Sequence, residues 1–261
     1  MDALAELSKG AEHLVHSFDS AYIVGSGAFG LTQYTFWMII CLILTVVVVL
    51  VASKRLTLVP NNKFVNMVEY GYQFVRKDMG EDPIGHGYKK HIPFLATLFF
   101  FILISNFVGL IPGCKTPTGS ISVTWALAII SFVYFNYWGF KTKGGWGYIK
   151  SFAPSGLPVV MIPVVWFLEL FSTILRALTL AVRLYGNMFA GHMVLGIFAL
   201  ATSVFINTAL VNADFVTALP AIGWVAFLLC MYALEVLVAF LQAYVFTILS
   251  AVYIGLATSD H

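Results

Sequence analysis

Apolar residues along this chain gather into five long runs separated by short polar connections. Residues 34–52, 92–112 and 121–140 each suit one membrane crossing, which takes about 20 mostly apolar residues. The second of these ends at Ile111-Pro112-Gly113. Residues 156–202 and 218–257 form two much longer runs. A helix of about 40 residues rises about 60 Å against a hydrocarbon core of about 30 Å, so these two are strongly tilted or broken. Pro163 marks a start or a kink in the first of them. Joined by a short loop, they make an antiparallel helical hairpin. Between the first two runs, Phe64, Met67, Val68, Tyr72 and Val75 recur at helical spacing. That pattern fits an amphipathic helix on the membrane surface, and equally a helix packed on other protein.

The predicted fold is therefore an all-α integral membrane protein with five transmembrane helices and a surface helix, ending in a long, strongly tilted hairpin. The chain carries no internal repeat and no low-complexity linker. It reads as a single membrane domain over 1–261. Residues 1–33 form an external N-terminal segment, 34–140 hold three spans with the surface helix in 54–91, and 156–257 make the hairpin.

Composition agrees: 60% of the 261 residues are hydrophobic and 10% charged, where a soluble domain carries about 25% charge. A net charge of +2 gives no reason to expect a nucleic-acid partner. Cys41, Cys114 and Cys230 lack CxxC spacing, so packing is expected of them, not a disulfide framework or a zinc site. Asp2, Glu6 and Glu12 against Lys9 argue against a cleaved signal peptide. Basic residues concentrate in two connections: Lys54, Arg55, Lys63, Arg76, Lys77, Lys89 and Lys90 in the first, Lys141, Lys143 and Lys150 in the second. The connection at 113–120 has only Lys115, and that at 203–217 has none. Positive charge stays on the cytoplasmic side, which places the N-terminus outside and the C-terminus inside.

Arg183 then stands out, because it lies within an otherwise apolar helix. A guanidinium stays charged, and burying it at bilayer depth is costly enough that such residues usually carry function. At about 100° per residue, Glu169, Ser172, Arg176, Thr179, Arg183 and Asn187 fall within an arc of roughly 80°. A polar stripe on a membrane helix lines a partner surface or an aqueous cavity. His192 points to roughly the opposite face. On the last helix, Glu235, Gln242 and Tyr253 share a face. With the hairpin turn near Asn212-Ala213-Asp214, positions whose numbers sum to about 427 come level. His192 then meets Glu235, and Arg183 comes within a turn of Gln242. Protonatable groups thus flank a fixed cation, which repels protons and divides a straight path into two offset ones. Gln242 either takes part in that path or ties two helices together. Tyr253 reads as an interfacial anchor, and Asn106 as structural or path-lining.

The run Arg183-Leu184-Tyr185-Gly186-Asn187-Met188-Phe189-Ala190-Gly191-His192 resembles the signature of subunit a of the F-type ATP synthase. So do Leu241-Gln242-Ala243-Tyr244-Val245-Phe246 and the stretch from Asn106 to Gly113. The resemblance implies a stator for the proton channel of the Fo sector, whose hairpin wraps a rotating ring of c subunits. By motif position Arg183 faces the ring carboxylates. Asn187, His192, Glu235 and Gln242 belong to an outer half-channel, Glu169 and Ser172 to an inner one, and Arg176 matches a position that is often basic. Many bacterial relatives exchange the acid and the imidazole at the His192 and Glu235 positions. The implied partners are the c-ring, peripheral-stalk b subunits, the remaining synthase subunits and the bilayer. The implied location is the bacterial cell inner membrane, with the mitochondrial inner membrane as the alternative. No catalytic site, cofactor or metal is expected in this chain, which lacks a GxxxxGK[ST] phosphate loop. A secondary transporter using a buried arginine for an anionic substrate is the rival reading, against which the absence of matched repeats counts.

Overall fold

The computed structural model describes residues 22–24, 31–54, 63–85, 87–111, 113–150, 161–212 and 215–258. Eight α-helices are assigned among them: α1 (Gln33–Lys54), α2 (Lys63–Phe74), α3 (Asp82–Ile84), α4 (Ile92–Gly109), α5 (Ile121–Lys143), α6 (Gly145–Lys150), α7 (Ile162–Asn212) and α8 (Phe215–Thr258). A π-helical stretch, Val75–Glu81, continues α2 toward α3. A short antiparallel ladder pairs Tyr22–Val24 with Leu31–Thr32 ahead of α1. Five helices are long and apolar enough to cross a membrane: α1, α4, α5, α7 and α8. The protein is an all-helical membrane protein. Most of the N-terminal segment expected at 1–33 lies outside the described residues, as do Ala213 and Asp214 of the expected hairpin turn.

Helix α4 is the centre of the fold. Leu95, Leu98, Phe99, Ile102, Ser105 and Asn106 are all buried along it, and it packs against α8 on one side and α1 on the other. Helix α1 is the opposite case: Leu42, Ile43, Val46, Val47 and Leu50 are exposed. A helix apolar all round and bare on one side suits contact with lipid tails. The second crossing is shorter than its apolar run, since α4 stops at Gly109 and the Tyr232 hydroxyl of α8 donates to the Leu110 carbonyl at 3.1 Å.

Asn106 ties three parts together. Its Nδ2 donates to the Ala239 carbonyl of α8 at 3.0 Å, and its Oδ1 accepts from the Thr118 hydroxyl at 2.8 Å. Its role is thus structural: it is fully buried and both ends of the amide are used. Asn106→Leu orphans the buried Thr118 hydroxyl, at about 1–3 kcal/mol, and removes the second hydrogen bond to the Ala239 carbonyl. A lower thermal midpoint of the detergent-solubilised complex is the expected result.

The expected surface helix exists but turns a different face inward. Val65, Val68, Val75 and Met79 are buried, while Phe64, Met67, Tyr70 and Tyr72 are exposed. Of the five positions read as one apolar face, only Val68 and Val75 are covered by the chain itself. The covered face is the one turned toward α1 and toward Phe100 of α4, which Gly71 approaches closely.

The fourth long run is unbroken. Helix α7 is continuous over 51 residues and α8 over 44, lengths of about 76 Å and 66 Å. Pro163 occupies the first turn of α7, where its missing N–H costs nothing. The two helices lie antiparallel. The Thr202 hydroxyl reaches the Trp224 carbonyl at 3.3 Å, and the rings of Phe205 and Trp224 stack at 5.5 Å. These pairs fall within about two positions of the register read from the turn. Helix α5 crosses behind them, held to α8 by a 2.9 Å hydrogen bond from Ser131 to Ser250.

Candidate functional site

Arg183 lies on the outward side of α7, exposed, between exposed Val182 and buried Leu184. Among the described residues its guanidinium has no ion pair and no hydrogen bond. Leu178 and Val182 beside it are also exposed and apolar. A fixed charge on a membrane-spanning helix, unpaired within the described chain and flanked by exposed apolar side chains, calls for a counter-charge from outside the chain.

Toward the expected cytoplasmic side the polar stripe is internally paired. Arg176 Nη2 donates to Glu169 Oε1 at 2.8 Å, two helical turns away. The Arg176 guanidinium also sits over the Tyr253 ring, 5.6 Å from its centre. Tyr253 packs on Phe135 of α5 as well, so it is part of this cluster and not merely an anchor at the interface. Ser172 is half-buried and has no hydrogen-bond partner among the described residues. Thr179 is exposed and bonds only back to the Arg176 carbonyl.

On the other side of Arg183, Asn187 Nδ2 donates to Gln242 Oε1 at 2.7 Å. Gln242 is buried and Asn187 exposed, so this bond joins the inside of the hairpin to its outward face. Gln242 therefore does tie the two long helices, in the same place as the stripe.

Further along, Glu235 is 4% exposed and its Oε1 has no hydrogen-bond partner. The carboxylate is seated directly on Gly191, where an added Cβ would collide with both of its oxygens. His192 and Glu235 are level, as the register predicts, but no hydrogen bond or ion pair joins them. The imidazole turns instead to the 113–120 connection, where His192 Nε2 and Thr116 Oγ1 are 2.7 Å apart. The rotation between residues 191 and 192 explains this: residue 191 faces α8 squarely, and residue 192 is turned by about 100° toward the loop.

A cavity of about 670 Å³ opens beside this group. Lys115, Thr116, His192, Leu195, Leu228 and Tyr232 are among the residues that line it. Burial lowers the Lys115 ammonium pKa from its usual range. Sequence reasoning treated the 113–120 connection only as a count of charges and missed Thr116 and Thr118. The tripeptide Thr116-Pro117-Thr118 was the available signal, since hydroxyls on both sides of a proline mark a rigid turn that carries hydrogen-bonding side chains. No group of three His, Cys, Asp or Glu side chains suited to a metal occurs among the described residues.

In order along the hairpin the arrangement is a cavity, His192 and Glu235, the Asn187–Gln242 bond, the bare Arg183, and the Glu169–Arg176 pair. Comparison with known proteins points the same way. Residues 35–255 match the family model described as ATP synthase A chain. The chain is 37% identical over 259 residues to the ATP synthase subunit a of Nocardioides sp., covering 94% of this chain and 92% of that one. It is 40% identical over 223 residues to the ATP synthase subunit a of Rhodobacter capsulatus, covering 85% and 90%. With that of Chloroherpeton thalassium it shares 35% identity over 274 residues, covering 100% and 78%. The five crossings, the long hairpin and these matches together assign the chain to the ATP synthase subunit a family, a membrane component of the Fo sector that works alongside the other synthase subunits.

Proposed function

We propose that this subunit is the stator half of a rotary proton path, holding two offset half-channels that are kept apart by Arg183. The observation that carries the reading is the exposed, unpaired guanidinium in the polar stripe of α7, flanked by exposed Leu178 and Val182. Its counter-charge comes from a ring of c subunits whose carboxylates pass this face one after another. The outer half-channel runs from the cavity past His192 and Glu235 to Asn187 and Gln242. The inner one runs from the cytoplasm to Glu169 and Ser172, with Arg176 paired to Glu169 beside it.

A proton entering from outside neutralises a ring carboxylate, which then tolerates the lipid as the ring turns. After nearly a full turn the carboxyl group reaches the inner path and releases its proton. Arg183 attracts the freed carboxylate and bars a direct passage between the two paths. Each charge that crosses contributes about 2.3 kcal/mol per 100 mV. The unequal lengths of α4 and the hairpin helices support this geometry, because long tilted helices follow a broad curved partner. The ring and the peripheral-stalk b subunits are the partners, and the bacterial cell inner membrane is the location.

Disulfide mapping in the assembled complex tests the docking face. Thr179→Cys and Val182→Cys, in a chain whose Cys41, Cys114 and Cys230 are replaced by serine, are expected to cross-link to cysteines placed beside the ring carboxylate. Val46→Cys on α1 is expected not to. Cross-links from α1 in place of α7 would put the ring on the wrong side of the molecule.

A further inference from the structure

Thr116 is buried to 4% exposure in a connection that otherwise lies between two crossings. Its hydroxyl is 2.7 Å from His192 Nε2. The fit around it is close. At Gly109, the last residue of α4, an added Cβ would coincide with the Thr116 hydroxyl and crowd its Cβ and methyl as well. Two residues on, Thr118 is fully buried and donates to Asn106, which is itself bonded to α8. The loop is thus pinned on both sides of Pro117, and Thr116 has little freedom to move. Thr116 and His192 line the same cavity. Nδ1 of His192 has no hydrogen-bond partner among the described residues.

We infer that Thr116 is a positioning residue for proton uptake: seated on Gly109, it engages Nε2 of His192 and so fixes the imidazole at the wall of the outer cavity with Nδ1 free for proton exchange. A hydroxyl suits this task because it donates or accepts as the ring's protonation state requires. A ring held at one nitrogen keeps one orientation, and the orientation of a proton-transfer group governs its rate. Charged or titratable neighbours of the ring are Lys115 in the same loop and Glu235 on α8. Neither is bonded to it. The inference rests on the reading of this cavity as the outer half-channel.

The test is passive proton conductance per assembled complex, in vesicles containing the whole membrane sector, for Thr116→Val, Thr116→Ser and His192→Ala. Thr116→Val keeps the shape and removes the hydroxyl, and is expected to lower conductance about tenfold. Thr116→Ser restores the hydroxyl and is expected to stay close to wild type. If Thr116→Val fails to assemble, Thr116→Ala takes its place, being smaller at the crowded Gly109 contact. Wild-type conductance in the hydroxyl-free variants, with His192→Ala impaired, overturns the positioning role and leaves the outer path standing. Equal loss in Thr116→Ser and Thr116→Val overturns it too, by making the effect one of packing. Normal conductance in His192→Ala removes the outer-path reading itself, and the inference with it.

Discussion

Replacing Arg183 with alanine is expected to lower ATP-driven proton pumping roughly a hundredfold or more while leaving the complex assembled. Assembly survives because the side chain is exposed and bonded to nothing within the described part of the chain. Alanine is also the better helix former, so α7 itself is not weakened. The loss comes from the partner. A ring carboxyl that meets no cation at the hairpin is no longer held ionised between the two paths and hands protons straight from one to the other, because an unpaired charge near the bilayer centre costs on the order of 3 kcal/mol even on the mildest scale. That cost corresponds to roughly a hundredfold. Arg183→Lys keeps the charge but loses the planar fork that engages a carboxylate with two parallel bonds. It is expected to fall between wild type and alanine. Pumping in reconstituted vesicles, normalised to ATP hydrolysis, is the readout.

The second large effect is expected at Glu235. Its carboxylate is buried, one oxygen is unpartnered, and it rests on the bare Cα of Gly191. Buried polar groups without partners are uncommon, and where they occur they often have a task. Glu235→Ala is expected to reduce proton conductance by about a hundredfold, the scale on which a positioned acid or base contributes to proton transfer. Gly191→Ala attacks the same group from the other side, since the new methyl occupies the space of the carboxylate. It is expected to lower conductance in the same direction. The two changes share one target, so the double variant should be no worse than Glu235→Ala alone, a plain failure of additivity. Fully additive losses would mean that Gly191 acts through helix packing and not through Glu235.

Much of this was legible in the sequence, and the reasons are physical. Lipid permits only a few backbone solutions, so length and hydropathy alone locate five crossings. Helical periodicity likewise puts Glu169, Arg176, Arg183 and Asn187 on one side of α7, and a short connection sets the register that brings Asn187 to Gln242. What periodicity does not carry is the azimuth of individual side chains toward a third element. His192 is level with Glu235 as the register reads, but its imidazole bonds Thr116, because one step along α7 rotates it toward the loop after α4 and the hairpin register says nothing about that loop. The same limit applies to α2. Its covered face is the one turned to α1 and to Phe100 of α4, and the residue pattern of α2 does not announce those neighbours. The Glu169–Arg176 ion pair was within reach, as residues two turns apart on one face, but the pair was read only as a stripe. The bare guanidinium was legible as well: no carboxylate lies level with Arg183 on α8, where Tyr244 is level and Gln242 is within a turn.

The central claim is that Arg183 is a barrier between two half-channels that open onto a ring. Passive proton permeability of vesicles tests it most directly, in complexes whose ring, where present, is cross-linked against rotation, with wild type and Arg183→Ala each measured with and without the c-ring. The predicted result is a proton leak in Arg183→Ala that requires the ring, and tight membranes in the other three preparations. A tight membrane in Arg183→Ala with its ring present, or a leak that persists without the ring, would contradict the account.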